Sequence, residues 1–249
     1  MLGIDDFALK RRPRGSMTAG PAAATPSAPT PTPVSYANAP TRSTSSPPRP
    51  QPSQQAPARR RQPAPLAFDL ARTRSRRKVS SVTKSNAQQY GMVLWDDVFK
   101  RVALDYPDVE TESVLVDAMS AKFVLKPEDL SVVVASNLNA DILSDLGSAL
   151  AGSLGLAASA NLNPERRFPS MFEPVHGSAP DIAGQGLANP IGAVGSAALM
   201  LDHFGLPDQA ARLNKAIETT TAAGILTRDV GGSASTEDVV KALIDALNA

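Results

Sequence analysis

From Ala67 onward the chain alternates short apolar runs with amphipathic stretches, divided by turn residues. "LAFDLARTRSRR" places Leu66, Phe68, Leu70 and Ala71 near one side of a helix and gathers cations at its C-terminal end, where the helix dipole favours them. "KVSSVTKS" predicts a strand, "GMVLWDDVFKRVALDYP" a helix stopped by Pro107, and "ESVLVDAM" a second strand. A short, interrupted helix, "SAKFVLKPEDL", then leads to "SVVVAS", a buried strand. "DILSDLGSALAGSLGLA" has the small residues of a closely packed helix. A Gly/Pro-rich loop from Asn161 to Pro190 follows, and three helices close the chain: "GAVGSAALMLDHFG", "QAARLNKAIETTTAAG" and "TEDVVKALIDALNA". Alternating apolar strands and helices predict an α/β domain with a layered sheet and packed helices over 67–249.

Residues 1–66 have a different texture. Fourteen of the 22 prolines fall here, in text such as "ATPSAPTPTP", and the apolar content is too low to offset ordering entropy. The expectation is a disordered leader with polyproline II character. It carries nine Lys or Arg against two Asp, so the formal net charge of +1 conceals a mildly acidic remainder. Its Arg- and Ser-rich composition fits an organellar transit peptide, whereas its proline density and the early "GIDD" fit a simple tail. The absence of Cys excludes a disulfide framework and a cysteine nucleophile, and no apolar run is long enough to span a membrane. A cytoplasmic location is expected, or an organellar matrix if the leader is a transit peptide, with neither membrane nor nucleic acid as partner.

Three groups of residues carry candidate chemistry. Asp141 and Asp145 stand four apart just after an apolar strand, where like charges on one helical face repel. A helix N-terminus would favour them through its dipole; alternatively, with Asp117 at the end of "VLVD", they offer the oxygen ligands that Mg²⁺ or Mn²⁺ prefers. "EPVHGSAPDIAGQGLANP" is a loop in which Gly177, Gly184 and Gly186 permit close backbone approach to a ligand, and Asp181 could accept from ribose hydroxyls. It could equally be a surface connection, with His176 an ordinary loop histidine. Lys84, directly after a strand in "SVTKSNAQQYG", could transfer a proton if burial and a nearby cation lower its pKa, and Asn86 could bind a cofactor amide. A solvated lysine is the plain alternative.

Taken together, "VTKSNAQ", "DILSDL", "NLNPERRFPSMFEPVHGSAPDIAG" and "DVGGSAST" resemble the β-decarboxylating dehydrogenases, the isocitrate and isopropylmalate dehydrogenase family. Within it, "TKSNAQ" and "NPERRFPSMFEPVHGSA" look most like the tartrate and D-malate dehydrogenase branch. The resemblance implies an isopropylmalate-dehydrogenase-like fold and NAD-dependent oxidation of a 2-hydroxy dicarboxylic acid, such as tartrate, D-malate or 3-isopropylmalate, with decarboxylation where a carboxylate lies β to the new ketone. It implies Lys84 as the catalytic lysine and Asp117, Asp141 and Asp145 as ligands of Mg²⁺ or Mn²⁺. It assigns Asn86, His176, Gly177, Ser178, Ala179, Asp181, Ile182 and Asn189 to the cofactor. It also implies a homodimer with shared active sites, Lys84 and Asp117 serving the partner's site.

Three features depart from the family pattern. The Gly-rich opening, substrate-clamping arginines and acid tyrosine of the family are not recognisable in residues 1–66, where Tyr36 lacks the matching context. Gly195 and Asn139 stand where larger side chains are common in relatives. The expectation is therefore the C-terminal part of such an enzyme behind an unrelated leader. It would act with its other half supplied, or as an inactive remnant that retains nucleotide or metal binding.

Overall fold

The computed structural model describes residues 63–249 except Glu165, together with Leu2–Gly3. Expectations for the rest of residues 1–62 lie outside the described residues. The first helix, α1, spans Pro63–Arg72, so the boundary expected at residue 66 falls inside its first turn. Prolines 63 and 65 suit that turn, whose backbone N–H groups have no helical acceptor.

The main sheet has the order β1-β4-β2-β3, with β1 at Leu2–Gly3, β2 at Lys78–Thr83, β3 at Glu110–Leu115 and β4 at Val132–Val134. Strand β2 runs parallel to both β3 and β4, whereas β1 lies antiparallel along β4. Helix α2 (Gly91–Ala103) connects β2 to β3, and α3 (Val116–Leu125) connects β3 to β4. Both sheet faces are covered, as parallel strands require. Val79, Val132 and Val134 pack with Phe68 of α1 and Phe99 of α2. Val82 and Val133 point the other way, against Met119 and Phe123 of α3 and Leu143 of α4 (Asn137–Ala151). The period-2 alternation of strand side chains makes this division. On the first face Trp95 donates to Ser81 at 2.9 Å, so the buried hydroxyl of β2 has a partner.

The second unit is a helical layer on a two-stranded sheet. Strands β5 (Ala158–Asn161) and β6 (Met171–Pro174) pair antiparallel, and α5 (Ile191–His203) lies across both. Behind α5, α6 (Pro207–Ala222) and α7 (Thr236–Asn248) close a core around Ile191, Ile217, Val239 and Leu243. Helix α7 opens with a capping box: Ser235 Oγ accepts from Asp238 N at 3.1 Å, and the Asp238 carboxylate accepts from Ser235 N at 2.9 Å.

Two expectations change. The segment Asn161–Pro190 is not all loop, because its first residue ends β5 and Met171–Pro174 forms β6. Such short strands carry too little period-2 signal to be read locally. Second, β3 ends at Leu115, which puts Asp117 in the first turn of α3 rather than at a strand end. The departure at Gly195 has a steric cause: a Cβ there would sit 3.1 Å from Ala158 Cβ, so the glycine lets α5 approach β5 closely.

Candidate active site

Two clefts adjoin along the wall formed by His176 and Gly177. The first, about 430 Å³, lies between α4 and the β5–β6 hairpin and is lined by Asp141, Ser144, Asp145, Asn161, Glu173 and His176, among others. The second, about 460 Å³, is lined by the loop from His176 to Asn189, with Ser153, Gly155, Asp229 and Thr236 at its back. Both fall in the size range of small-ligand sites.

Asp141 and Asp145 are exposed and line the first cleft. Helix α4 begins at Asn137 and has no acid in its first turn, so the dipole does not account for them. Two carboxylates four apart, facing a cleft whose lining contains neither Lys nor Arg, suit a divalent cation. Asp117 does not join them. Among the described residues no three His, Cys, Asp or Glu side chains converge on one cation. The expected three-aspartate cluster is therefore not formed by these residues alone. Instead Asp117 accepts from Lys84 Nζ at 2.5 Å. That bond holds the Asp117 carboxyl below its ordinary pKa. Lys84 follows β2 directly and is largely covered, its side chain 28% exposed. Asn86 lies two residues on in an exposed turn and lines neither cleft.

The second cleft gathers His176, Gly177, Ser178, Ala179, Ile182 and Asn189. Its loop turns at Gly184 (φ 76°) and Gly186 (φ 67°), where glycine adopts the left-handed backbone without strain. Ala179 holds φ 43°, sparsely populated for a residue with a Cβ, just before the 3-10 turn Pro180–Ile182. His176 Nδ1 lies 2.9 Å from Gly177 O. A carbonyl only accepts, so Nδ1 carries the hydrogen in this contact. Asp181, between Ala179 and Ile182, is exposed and not part of the lining.

Asn189 lines the second cleft and also has structural partners. Its side chain is buried, with Oδ1 accepting from Ile191 N at 3.0 Å and Nδ2 donating to Asp229 at 3.0 Å. The side chain thus starts α5 and ties the loop to the segment before α7.

Sequence reasoning assigned no role to Glu173, Ser144 and Asn161 in the first cleft, or to Ser153, Gly155, Asp229 and Thr236 in the second. "DVGGSAST" was the available signal for Asp229 and Thr236, but nothing local in it points at the loop some 40 residues earlier.

The model of the isocitrate/isopropylmalate dehydrogenase family matches residues 56–243. A probable tartrate dehydrogenase/decarboxylase of Agrobacterium vitis is 58% identical over 181 residues, covering 73% of this chain and 51% of that protein. The D-malate dehydrogenase (decarboxylating) of Escherichia coli K12 is 47% identical over 182 residues, covering 71% and 50%. An isocitrate dehydrogenase structure from Methylococcus capsulatus superposes with a TM-score of 0.71 at 38% identity, over 75% of this chain and 55% of that one. The chain thus spans about half the length of the curated relatives it matches. With the fold and these matches in agreement, the chain belongs to the isocitrate/isopropylmalate dehydrogenase family.

Proposed function

We propose that the chain takes part in the NAD- and Mg²⁺- or Mn²⁺-dependent oxidation of a 2-hydroxy dicarboxylic acid, of the tartrate, D-malate or 3-isopropylmalate type, with loss of carbon dioxide where a carboxylate lies β to the new ketone. The observation that carries this reading is the continuity of the two clefts. His176 and Gly177 line both, so a nucleotide in the glycine-rich cleft would present one end to a substrate beside Asp141 and Asp145.

When bound, the cation held by Asp141 and Asp145 supplies a Lewis acid at the substrate hydroxyl, and NAD along Gly177–Asn189 supplies the hydride acceptor. Lys84, as the neutral amine once a nearby cation has displaced its proton, would accept the hydroxyl proton at Nζ, directly or through water, and Asp117 fixes its position. Because Lys84 and Asp117 line neither cleft, this reading needs a second copy of the chain to bring them to the substrate. An exposed apolar surface supports such a homodimer: Leu138 and Ile142 on α4, with Val124 and Leu125 on α3. Leu138 and Ile142 stand four apart on the helix that carries Asp141 and Asp145, so a partner covering them would reach the first cleft.

A specific observation favours a second reading, in which the chain binds nucleotide and cation without turnover. The lining of the first cleft includes Asp141, Asp145 and Glu173 but no Arg or Lys to hold a substrate carboxylate. NADH formation by the purified full chain with Mn²⁺, NAD and each of tartrate, D-malate and 3-isopropylmalate separates the two. Turnover establishes the dehydrogenase; binding of NAD and Mn²⁺ without turnover establishes the binding subunit. Binding of neither overturns both.

A further inference from the structure

Three chain segments meet at the carboxylate of Asp229. Ser153, in the turn after α4, donates to Oδ2; Asn189, at the end of the glycine-rich loop, donates to the same oxygen at 3.0 Å; and Thr227, two residues back, donates to Oδ1 at 2.5 Å. Burial alone would raise the pKa of this carboxyl, yet the three donors together hold it below the ordinary carboxylate range. The surroundings are tight. A Cβ on Gly155 would lie 2.7 Å from Asp229 Oδ2 and 2.9 Å from Asn189 Cβ. The same segment is fastened a second time, through Thr236 N to Gly186 O at 2.8 Å and Thr236 Oγ1 to Ala188 O at 2.5 Å.

A carboxylate offers about four acceptor sites, and three are occupied here, so Asp229 is poorly placed to serve as a ligand. Its position on the cleft wall instead lets it set the shape of that wall. We propose that Asp229 is a positioning residue for the nucleotide cleft: through Asn189 it fixes the C-terminal end of the loop Gly177–Asn189, and through Ser153 it holds the facing turn at the matching distance. This rests on reading that cleft as the nucleotide site. Asn189 is the hinge of the device, because its other amide atom fixes Ile191 N and hence the start of α5.

The test measures NAD affinity of the full chain by titration, well below the melting temperature of every variant, beside the thermal response to Mn²⁺. Asp229→Asn turns one acceptor toward Asn189 into a donor and is expected to weaken NAD about tenfold, the scale of one hydrogen bond to a charged group. Adding Asn189→Asp to it reverses donor and acceptor between the same two atoms, and should restore affinity to within about threefold, since the Ser153 and Thr227 hydroxyls can rotate to suit. The response to Mn²⁺, which depends on the other cleft, should not change in either variant. Thr227→Val serves if Asp229→Asn fails to fold. Thr227 lies outside the cleft lining, so a loss of about threefold in NAD affinity can reach the site only through Asp229. NAD binding that is unchanged in folded Asp229→Asn or Thr227→Val, or weakened equally in the double change, overturns the positioning role while leaving the nucleotide cleft standing. No NAD binding by the unsubstituted chain overturns both.

Discussion

Lys84 Nζ and an Asp117 carboxylate oxygen stand 2.5 Å apart, joining the end of β2 to the first turn of α3. The Asp117 side chain is mostly exposed, 65%, so the pair is a weak source of folding stability. Asp117 has a lowered pKa. What the pair contributes is therefore complete above the ordinary Asp value of about 3.9 and is lost as pH falls through the lower folded value. Its position, rather than its contribution to folding, is what the proposed reaction uses. Lys84→Met and Asp117→Asn should each lower hydroxy-acid oxidation by about 10²-fold or more, with little change in melting temperature. A melting temperature that drops in step with the rate would assign the pair to folding.

Asp141 and Asp145 repel one another across one helical turn, and a cation removes that repulsion. Mn²⁺ should raise the melting temperature of the chain. The double change Asp141→Asn with Asp145→Asn should abolish the rise and leave the metal-free protein equally stable, or more stable by about 0.2–0.5 kcal/mol. Calorimetry with and without Mn²⁺ reads both effects; a response that survives the double change places the cation elsewhere.

The adenosine end of the cofactor should be read by charge. Asp181 is exposed beside the second cleft, whose lining contains neither Lys nor Arg. Like charges about 4 Å apart cost about 1 kcal/mol in water and about 4 kcal/mol at an effective dielectric of 20, and exposure places this contact toward the lower figure. NAD should bind at least several-fold more tightly than NADP, and Asp181→Lys with Ile182→Tyr should reverse the order. Equal affinities in the unchanged chain would show that Asp181 does not face the ribose.

Two helical glycines should respond to alanine with opposite signs. At Gly147 in α4 a new Cβ meets only the Phe123 ring, at 3.4 and 3.7 Å, so Gly147→Ala should stabilise by about 0.5–1 kcal/mol through helix propensity. At Gly192 in α5 it meets Gly155 O at 2.9 Å and Ala157 O at 3.1 Å. Backbone there cannot yield as a side chain would, and Gly192→Ala should destabilise by about 1–3 kcal/mol. Urea denaturation of the two variants checks the signs.

Glu112 is the hub of the ion network on the main sheet. It accepts from Lys122 at 2.6 Å and from Ser80 at 2.6 Å, with Lys78 at 3.5 Å. Burial raises its pKa, but these donors and the two ammonium charges outweigh burial and lower it. Its contribution to stability is therefore present above about 4.3, the ordinary Glu value, and is lost as pH falls through the lower folded pKa. Glu112→Gln should destabilise by about 1–3 kcal/mol at pH 7, because Lys78 and Lys122 are largely covered, and by less at pH 3. An unchanged cost across that range would show that charge is not the cause.

The sequence by itself determined the elements whose signals are local. The apolar runs of "SVVVAS" and "KVSSVTKS" announced strands and the amphipathic pattern of "TEDVVKALIDALNA" announced α7, because each of these signals is complete within a few neighbouring residues. The motifs also marked Asp141, Asp145 and the loop from His176 to Asn189 as candidate chemistry.

Tertiary structure decided which of these residues share a site. It set Lys84 against Asp117 and left Asp141 and Asp145 facing the hairpin, because the ends of β2 and β3 lie side by side in register, Thr83 opposite Leu115, while α4 leaves from β4. It revealed Met171–Pro174 as a strand, since pairing with Ala158–Asn161 supplies the hydrogen bonds that four residues cannot supply alone. It gave Asn189, on the wall of the second cleft, a second partner by bringing Asp229, 40 residues away, within 3.0 Å. Local propensity acts over a few neighbours along the chain, but a binding cleft is made by whichever distant segments the core brings together, and that information exists only in the folded arrangement.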